Sequence, residues 1–257
     1  MRVALIGNSH AAAYKAAWDE IGGDYAGLDV VFFASPASSM RLMTVENGAI
    51  VPKRDDIRQA FSWTSGGLDR IPGDMDAYIL VGMSFSFPHL AAILRTHRPF
   101  DAYQAGGGHE LVSNAVFEET MRQTLKRSGA AKNIDNVRAI SQAPIFYTPN
   151  PYSARTVLDH PDYAYWRCEA TCARIFAFYR GALAELRRTC TVVEQPAETI
   201  SQPYFTIPDF ARDAPKLRQG AAATYGETDH GHMNAAFGAL SLRNILDNHV
   251  LKAKALA

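Results

Sequence analysis

The residues that could do chemistry stand at the two ends of this 257-residue chain. Near the start, Val3-Ala4-Leu5-Ile6 stops at Gly7 and delivers Asn8-Ser9-His10; near the end, Asp229-His230-Gly231-His232 leads into Met233-Asn234 and a last apolar stretch. A serine hydroxyl is a poor nucleophile until a base takes its proton, and histidine is a better base when a carboxylate fixes its tautomer and stabilises the imidazolium. Ser9, His232 and Asp229 are the candidates for nucleophile, base and orienter. The spacing of Asp229 and His232 lets a single loop carry both.

Such a serine needs a rigid support. Val3 to Ile6 is a continuous β-prone run, the pattern of a strand covered on both faces, and Ala11-Ala12-Ala13-Tyr14-Lys15-Ala16-Ala17-Trp18 is rich in helix formers. Ser9 therefore falls in a strand-to-helix turn, where the N–H groups of the helix start are unpaired and negative charge is stabilised. Blander roles are open to the same residues: Asn8 and Ser9 are good helix caps, and Asp229 could cap a last helix that leaves His232 on the surface. The elbow of α/β-hydrolases is excluded for Gly7-x-Ser9-x-Ala11, because it follows several strands and here only eight residues precede the serine. Asp229, His230 and His232 could begin a metal site, but no Cys-x-x-Cys or His-Glu-x-x-His completes it, so neither a metal nor another cofactor is expected. Gly106-Gly107-Gly108-His109 reads as a turn, since no apolar strand precedes it and no Gly-Lys-Ser/Thr ends it.

Further strands are expected over Leu28–Ala34, Asp76–Gly82, Pro144–Thr148 and Thr191–Val193. Helices are expected over about Pro88–Thr96, Ser113–Arg127, Ile134–Ile140, Tyr163–Arg188 and Met233–Leu251. Strands alternating with helices predict an α/β fold: a three-layer α/β/α sandwich on a five-stranded parallel, flavodoxin-like sheet of order 2-1-3-4-5. Residues 1–257 are read as one domain. About 40–72 is an elaboration beside the main sheet, with Asn47-Gly48 as a hairpin turn and Thr64-Ser65-Gly66-Gly67 as a loop. Right-handed crossovers gather Ser9, the loop 35–39, Ser84 and Asn150 along one sheet edge, where open α/β sheets bind ligands.

Gly7-Asn8-Ser9-His10 at one terminus and Asp229-x-x-His232 at the other resemble the SGNH, or GDSL-like, hydrolase superfamily, whose members open on Gly-Asp-Ser and close on Asp-x-x-His before the last helix. The resemblance spans Gly7 to Asn234 and implies a serine esterase that removes a small acyl group, such as acetyl, from a carbohydrate or other polyol ester. It also leaves room for an O-acyltransferase acting on a glycan, or for a noncatalytic glycan- or partner-binding domain on the same scaffold. Such enzymes collect oxyanion donors from the serine N–H, a glycine N–H after the second strand and an asparagine after the third. This chain departs from that pattern with Ala37-Ser38-Ser39 and Gly82-Met83-Ser84. Ser38, Gly82 and Ser84 are thus the oxyanion and substrate-binding candidates, and Asn150, after the fourth strand, is the substitute amide.

Twenty-six basic side chains balance twenty-six acidic ones without a basic block, so neither nucleic acid nor a membrane surface is expected as a partner. A small-molecule or carbohydrate ester is the partner that fits. Three cysteines, Cys168, Cys172 and Cys190, are too few for a disulfide framework. With no leader before the first strand and no apolar run long enough to span a membrane, the expected location is cytoplasmic.

Overall fold

The computed structural model describes residues 1–103 and 108–255, so Gly106 and Gly107 of the glycine tract lie outside the described residues. Five strands, β1 (Arg2–Gly7), β2 (Asp29–Ala34), β3 (Ala77–Val81), β4 (Ile145–Thr148) and β5 (Thr191–Val192), pair in parallel in the order β2-β1-β3-β4-β5. This is the expected order 2-1-3-4-5. Its physical origin is the apolar character of β1 and β3, whose interiors are sealed on both faces and so tolerate only central positions.

Alternate residues of each strand feed opposite layers. Val3 and Leu5 of β1 join Ala13, Tyr14, Leu242 and Ile245, which lie on helices α1 (Ala11–Ile21) and α6 (Ala235–Ile245). Ala4 and Ile6 join the other core, built on α2 (Asp55–Ser65), α3 (Asn114–Lys126), α4 (Gly129–Ile140) and α5 (Glu169–Leu186). The result is a three-layer sandwich. Among the described residues no helix is long and apolar enough to cross a membrane, and all three cysteines are free.

Three stretches differ from the sequence expectation. In 40–72, Asn47 and Gly48 do turn a hairpin between Met43–Glu46 and Ala49–Pro52, both with positive φ as a two-residue turn of this kind requires. The same stretch also holds α2, unforeseen in the sequence, which lies on β2 with Phe61 edge-on to Phe33 at 5.6 Å. Its signals were present: Ile57, Phe61 and Thr64 recur on one face, Asp55 and Asp56 occupy the first turn, and Gly66 ends it in the left-handed region. The pattern Tyr163–Arg188 is two elements, a 3-10 segment Pro161–Arg167 and then α5, because Tyr165 and Trp166 turn into an aromatic cluster around Phe87 and cannot stay on the helical stripe. The last helix leaves α geometry at Leu246–Val250, a π-helical turn, before resuming at Leu251–Ala255.

Helices α1 and α6 touch backbone to backbone. A Cβ added at Gly238 would stand 2.2 Å from the carbonyl oxygen of Ala13, closer than any relaxed contact. Gly238→Ala is expected to push the helices apart and destabilise the fold by about 1–3 kcal/mol, measured by denaturant unfolding. An unchanged midpoint would show that this crossing is not tight.

Candidate active site

The end of β1 sets the serine. The backbone turns at Asn8, whose carbonyl accepts from Ala11 N–H at 2.9 Å, and His10 occupies the cap position of α1. No side chain caps that helix. The Asn8 amide oxygen instead accepts from His10 N–H at 3.3 Å, and the Ser9 hydroxyl lies 2.8 Å from His232 Nε2.

The loop before α6 sets the base. His232 Nδ1 donates to Asp229 Oδ2 at 2.9 Å, with Oδ1 at 3.1 Å. The same carboxylate accepts from the backbone N–H groups of Gly231 (2.9 Å) and His232 (2.8 Å), so the loop is wound around its own aspartate. Asp229 is not the cap of α6; that role falls to Asn234, whose side chain accepts from Phe237 N–H. His230 turns inward, its Nδ1 3.0 Å from Thr156 Oγ1 and its carbonyl accepting from Ala154 N–H at 2.8 Å, which ties the loop to the segment after β4. It is thereby drawn away from His232, and among the described residues no group of three or more His, Cys, Asp or Glu is arranged to hold a metal ion.

Burial alone would raise the Asp229 pKa. The bonds from the His232 ring and from the two backbone N–H groups outweigh it and bring the carboxyl down to about 2. The orienter is therefore an ionised carboxylate, which fixes a proton on His232 Nδ1 and leaves Nε2 as the ring nitrogen directed at Ser9.

Two residues with no role assigned from sequence complete the setting of His232. Tyr225 stacks on one face of its ring at 3.8 Å and 6°, and His10 on the other at 4.8 Å and 20°. His10 had a signal, adjacency to Ser9 in a tight turn. Tyr225 had none, since it lies in a stretch without periodicity.

The four remaining candidates are distributed as follows. Ser38 is exposed, and its N–H has no partner among the described residues; Ala37 before it takes φ +56°, the left-handed conformation that usually falls to glycine. Gly82, Met83 and Ser84 form a run of three left-handed residues, with φ of 72°, 62° and 74°. Tyr147 braces this turn by donating to the carbonyls of Gly82 and Phe85. For Met83 and Ser84 the conformation costs about 1–2 kcal/mol each, and such strain gathers at functional sites. The N–H of Gly82 is taken by Thr148 O at 2.9 Å and that of Ser84 by Asn150 Oδ1 at 2.9 Å, while Asn150 Nδ2 lies 2.5 Å from His10 Nε2. The Asn150 amide thus links the turn after β3 to His10. Only glycine fits at 82, where a Cβ would meet Asn8 Oδ1 at 2.8 Å and His10 Cδ2 at 3.1 Å.

No protein-family model matches the chain, and no curated protein does. Among solved structures, it is similar to the periplasmic domain of a lipopolysaccharide acetyltransferase from Salmonella ser. Paratyphi A, with TM-score 0.46 and 8% identity over 97% of this chain and 83% of that one. It is also similar to a gut microbial diltiazem-metabolizing enzyme (TM-score 0.37, 12% identity, 77% of this chain and 37% of that one). A third likeness is to a Lactobacillus plantarum protein solved by a structural genomics consortium (TM-score 0.35, 16% identity, 96% and 97%). With TM-scores below 0.5, these likenesses decide neither the fold nor the reaction; the strand order and the site geometry have to carry both.

The depressed Asp229 pKa has a consequence for stability. A carboxyl held below its unfolded value of 3.8 stabilises the fold above that pH and loses its contribution as the pH falls toward about 2. Wild type is expected to exceed Asp229→Asn in unfolding free energy at neutral pH, with the gap closing between about pH 4 and about pH 2. A gap that stays constant over that window would show that the carboxylate is not held in this way.

Proposed function

We propose that the protein is a serine esterase of SGNH type that removes a small acyl group, acetyl being the simplest, from a carbohydrate or other polyol ester. The observation that carries this reading is the chain of hydrogen bonds from Ser9 through His232 to Asp229, in the order acyl transfer requires. Ser9 Oγ attacks the ester carbonyl while His232 Nε2 takes its proton, giving a tetrahedral intermediate. Its oxyanion is served by the N–H groups of Ser9 and Ser38, neither of which has a partner among the described residues. Collapse expels the alcohol, which receives the proton from His232, and leaves Ser9 acylated. Water activated by His232 then releases the acid and frees the serine. Asp229, ionised and doubly anchored, keeps the imidazole in the required tautomer throughout.

A hydroxylated alcohol portion is supported by the cleft of about 340 Å³ beside the Asp229 loop, where Thr156, Arg212, Asp213, Tyr225 and Glu227 offer both donors and acceptors. The balanced charge of the chain agrees with a neutral substrate. Transfer to a glycan hydroxyl uses the same first half-reaction and differs only in what clears the acyl-enzyme.

The test is a panel of acyl p-nitrophenyl esters and acetylated sugars, run on wild type and variants with product analysis in the presence of sugar acceptors. Ser9→Ala and His232→Ala should each lower turnover by on the order of 10⁶-fold, and the double variant should be little worse than either, because the residues act as a unit. Asp229→Asn should cost on the order of 10³-fold to 10⁴-fold, since an amide in its place favours the wrong imidazole tautomer. Acylated sugar outcompeting free acid as product would reassign the protein as an O-acyltransferase. Failure of Ser9 to react with a fluorophosphonate, together with inactivity on the whole panel, would point to a noncatalytic binding domain.

A further inference from the structure

The amide of Asn150 cannot turn over in its place. Its Oδ1 accepts from Ser84 N–H at 2.9 Å, and a flipped amide would set NH₂ against that N–H. Nδ2 therefore points at His10 Nε2, 2.5 Å away, and a donor there requires that Nε2 carry a lone pair. The proton of His10 is then on Nδ1, which is enclosed and has no acceptor among the described residues. A second proton on Nε2 would face the Asn150 NH₂ head-on. The surroundings agree: enclosure first, then the nearby rings of His232 and His89, hold the His10 pKa well below the usual histidine range, with Asp229 acting more weakly the other way.

The face of this neutral ring is applied to the base. His232 is stacked between His10 and Tyr225, so rotation of its ring, which would carry Nε2 off Ser9, runs into a flat wall on either side. Space for that wall exists because residue 82 has no side chain; the nearest approach of a Cβ there would be to Asn8 and His10.

We infer that His10 is a positioning residue for His232: locked in its neutral Nδ1–H form by Asn150, it clamps the catalytic imidazole against Tyr225 and stays uncharged while His232 takes up the serine proton. The inference rests on the serine-esterase reading above. The groups that bear on His10 are His232 and Asp229 from the loop before α6, Asn150 from the loop after β4, the Ser84 backbone, and His89, itself beside Arg41. Asn150 alone among them makes a hydrogen bond to its ring, so the lock has one point of attack.

Three variants test the clamp on the best ester of the panel. His10→Ala should lower kcat by about 10-fold to 100-fold with KM within about 3-fold of wild type, because it loosens the base and not the substrate. His10→Phe, which restores a flat uncharged face, should recover kcat to within about 5-fold of wild type, since stacking and not hydrogen bonding is what acts. Asn150→Ala, which removes the one hydrogen bond holding the His10 ring, should likewise lower kcat by about 10-fold to 100-fold with KM within about 3-fold of wild type. The proton NMR signal of His232 Nδ1–H, bonded to Asp229, gives a readout without substrate: it should broaden in His10→Ala and persist in His10→Phe. Wild-type kcat in His10→Ala, a His10→Phe variant as poor as His10→Ala, or wild-type kcat in Asn150→Ala would each overturn the inference. Activity that needs Ser9 yet ignores His10 would sink the clamp alone, whereas activity surviving in Ser9→Ala would remove the reading beneath it.

Discussion

Residues 223 positions apart in sequence meet in one 2.8 Å hydrogen bond between Ser9 and His232, and the rest of the structure exists in the form that makes this contact possible. The serine is borne by the junction of β1 and α1, the histidine by the loop that enters α6. Those helices share one face of the sheet and touch so closely that residue 238 can carry no side chain. Backbone-to-backbone packing of this kind leaves little freedom to slide, which is why two loops from opposite chain ends can hold a hydrogen-bond geometry.

Around that contact the protein places polar groups whose bonds are used twice. Asp229 binds both the imidazole and its own loop, so the charge that orients the base also shapes the segment that carries it. His230, a potential ligand by composition, is spent on anchoring: its ring meets Thr156 and its carbonyl meets Ala154, fastening the loop to the segment after β4. Asn150 joins the strained turn after β3 to the ring beside the base. Strain in Met83 and Ser84 is sustained because Tyr147, rising from β4 with a buried hydroxyl, holds the carbonyls on either side of them.

The central sheet was legible because its evidence in the sequence is local and redundant. Five apolar runs bounded by glycine, proline or small polar residues can be ordered by chirality and connection rules without any contact being known. Helix α2 has a weaker local signature, the recurrence of Ile57, Phe61 and Thr64 on one face, and it follows directly on the stronger hairpin signal of Asn47-Gly48. The break between Arg167 and Glu169 had no local signature, because it follows from where Trp166 finds aromatic partners, a property of the assembled core.

By itself the sequence determined the strand order, the strand-to-helix turn that presents Ser9, and the pairing of an acid with a histidine three residues later in one loop. These are matters of residue type and short spacing, on which periodicity and turn chemistry act directly. Tertiary structure alone decided that Asn234 and not Asp229 caps α6, that the N–H groups of Gly82 and Ser84 are already engaged by Thr148 and Asn150, and that His10 and Tyr225 enclose the His232 ring. Each of these depends on which of several chemically equivalent donors comes within about 3 Å of a given acceptor. That distance is set by packing between segments far apart in the chain, which no local pattern encodes.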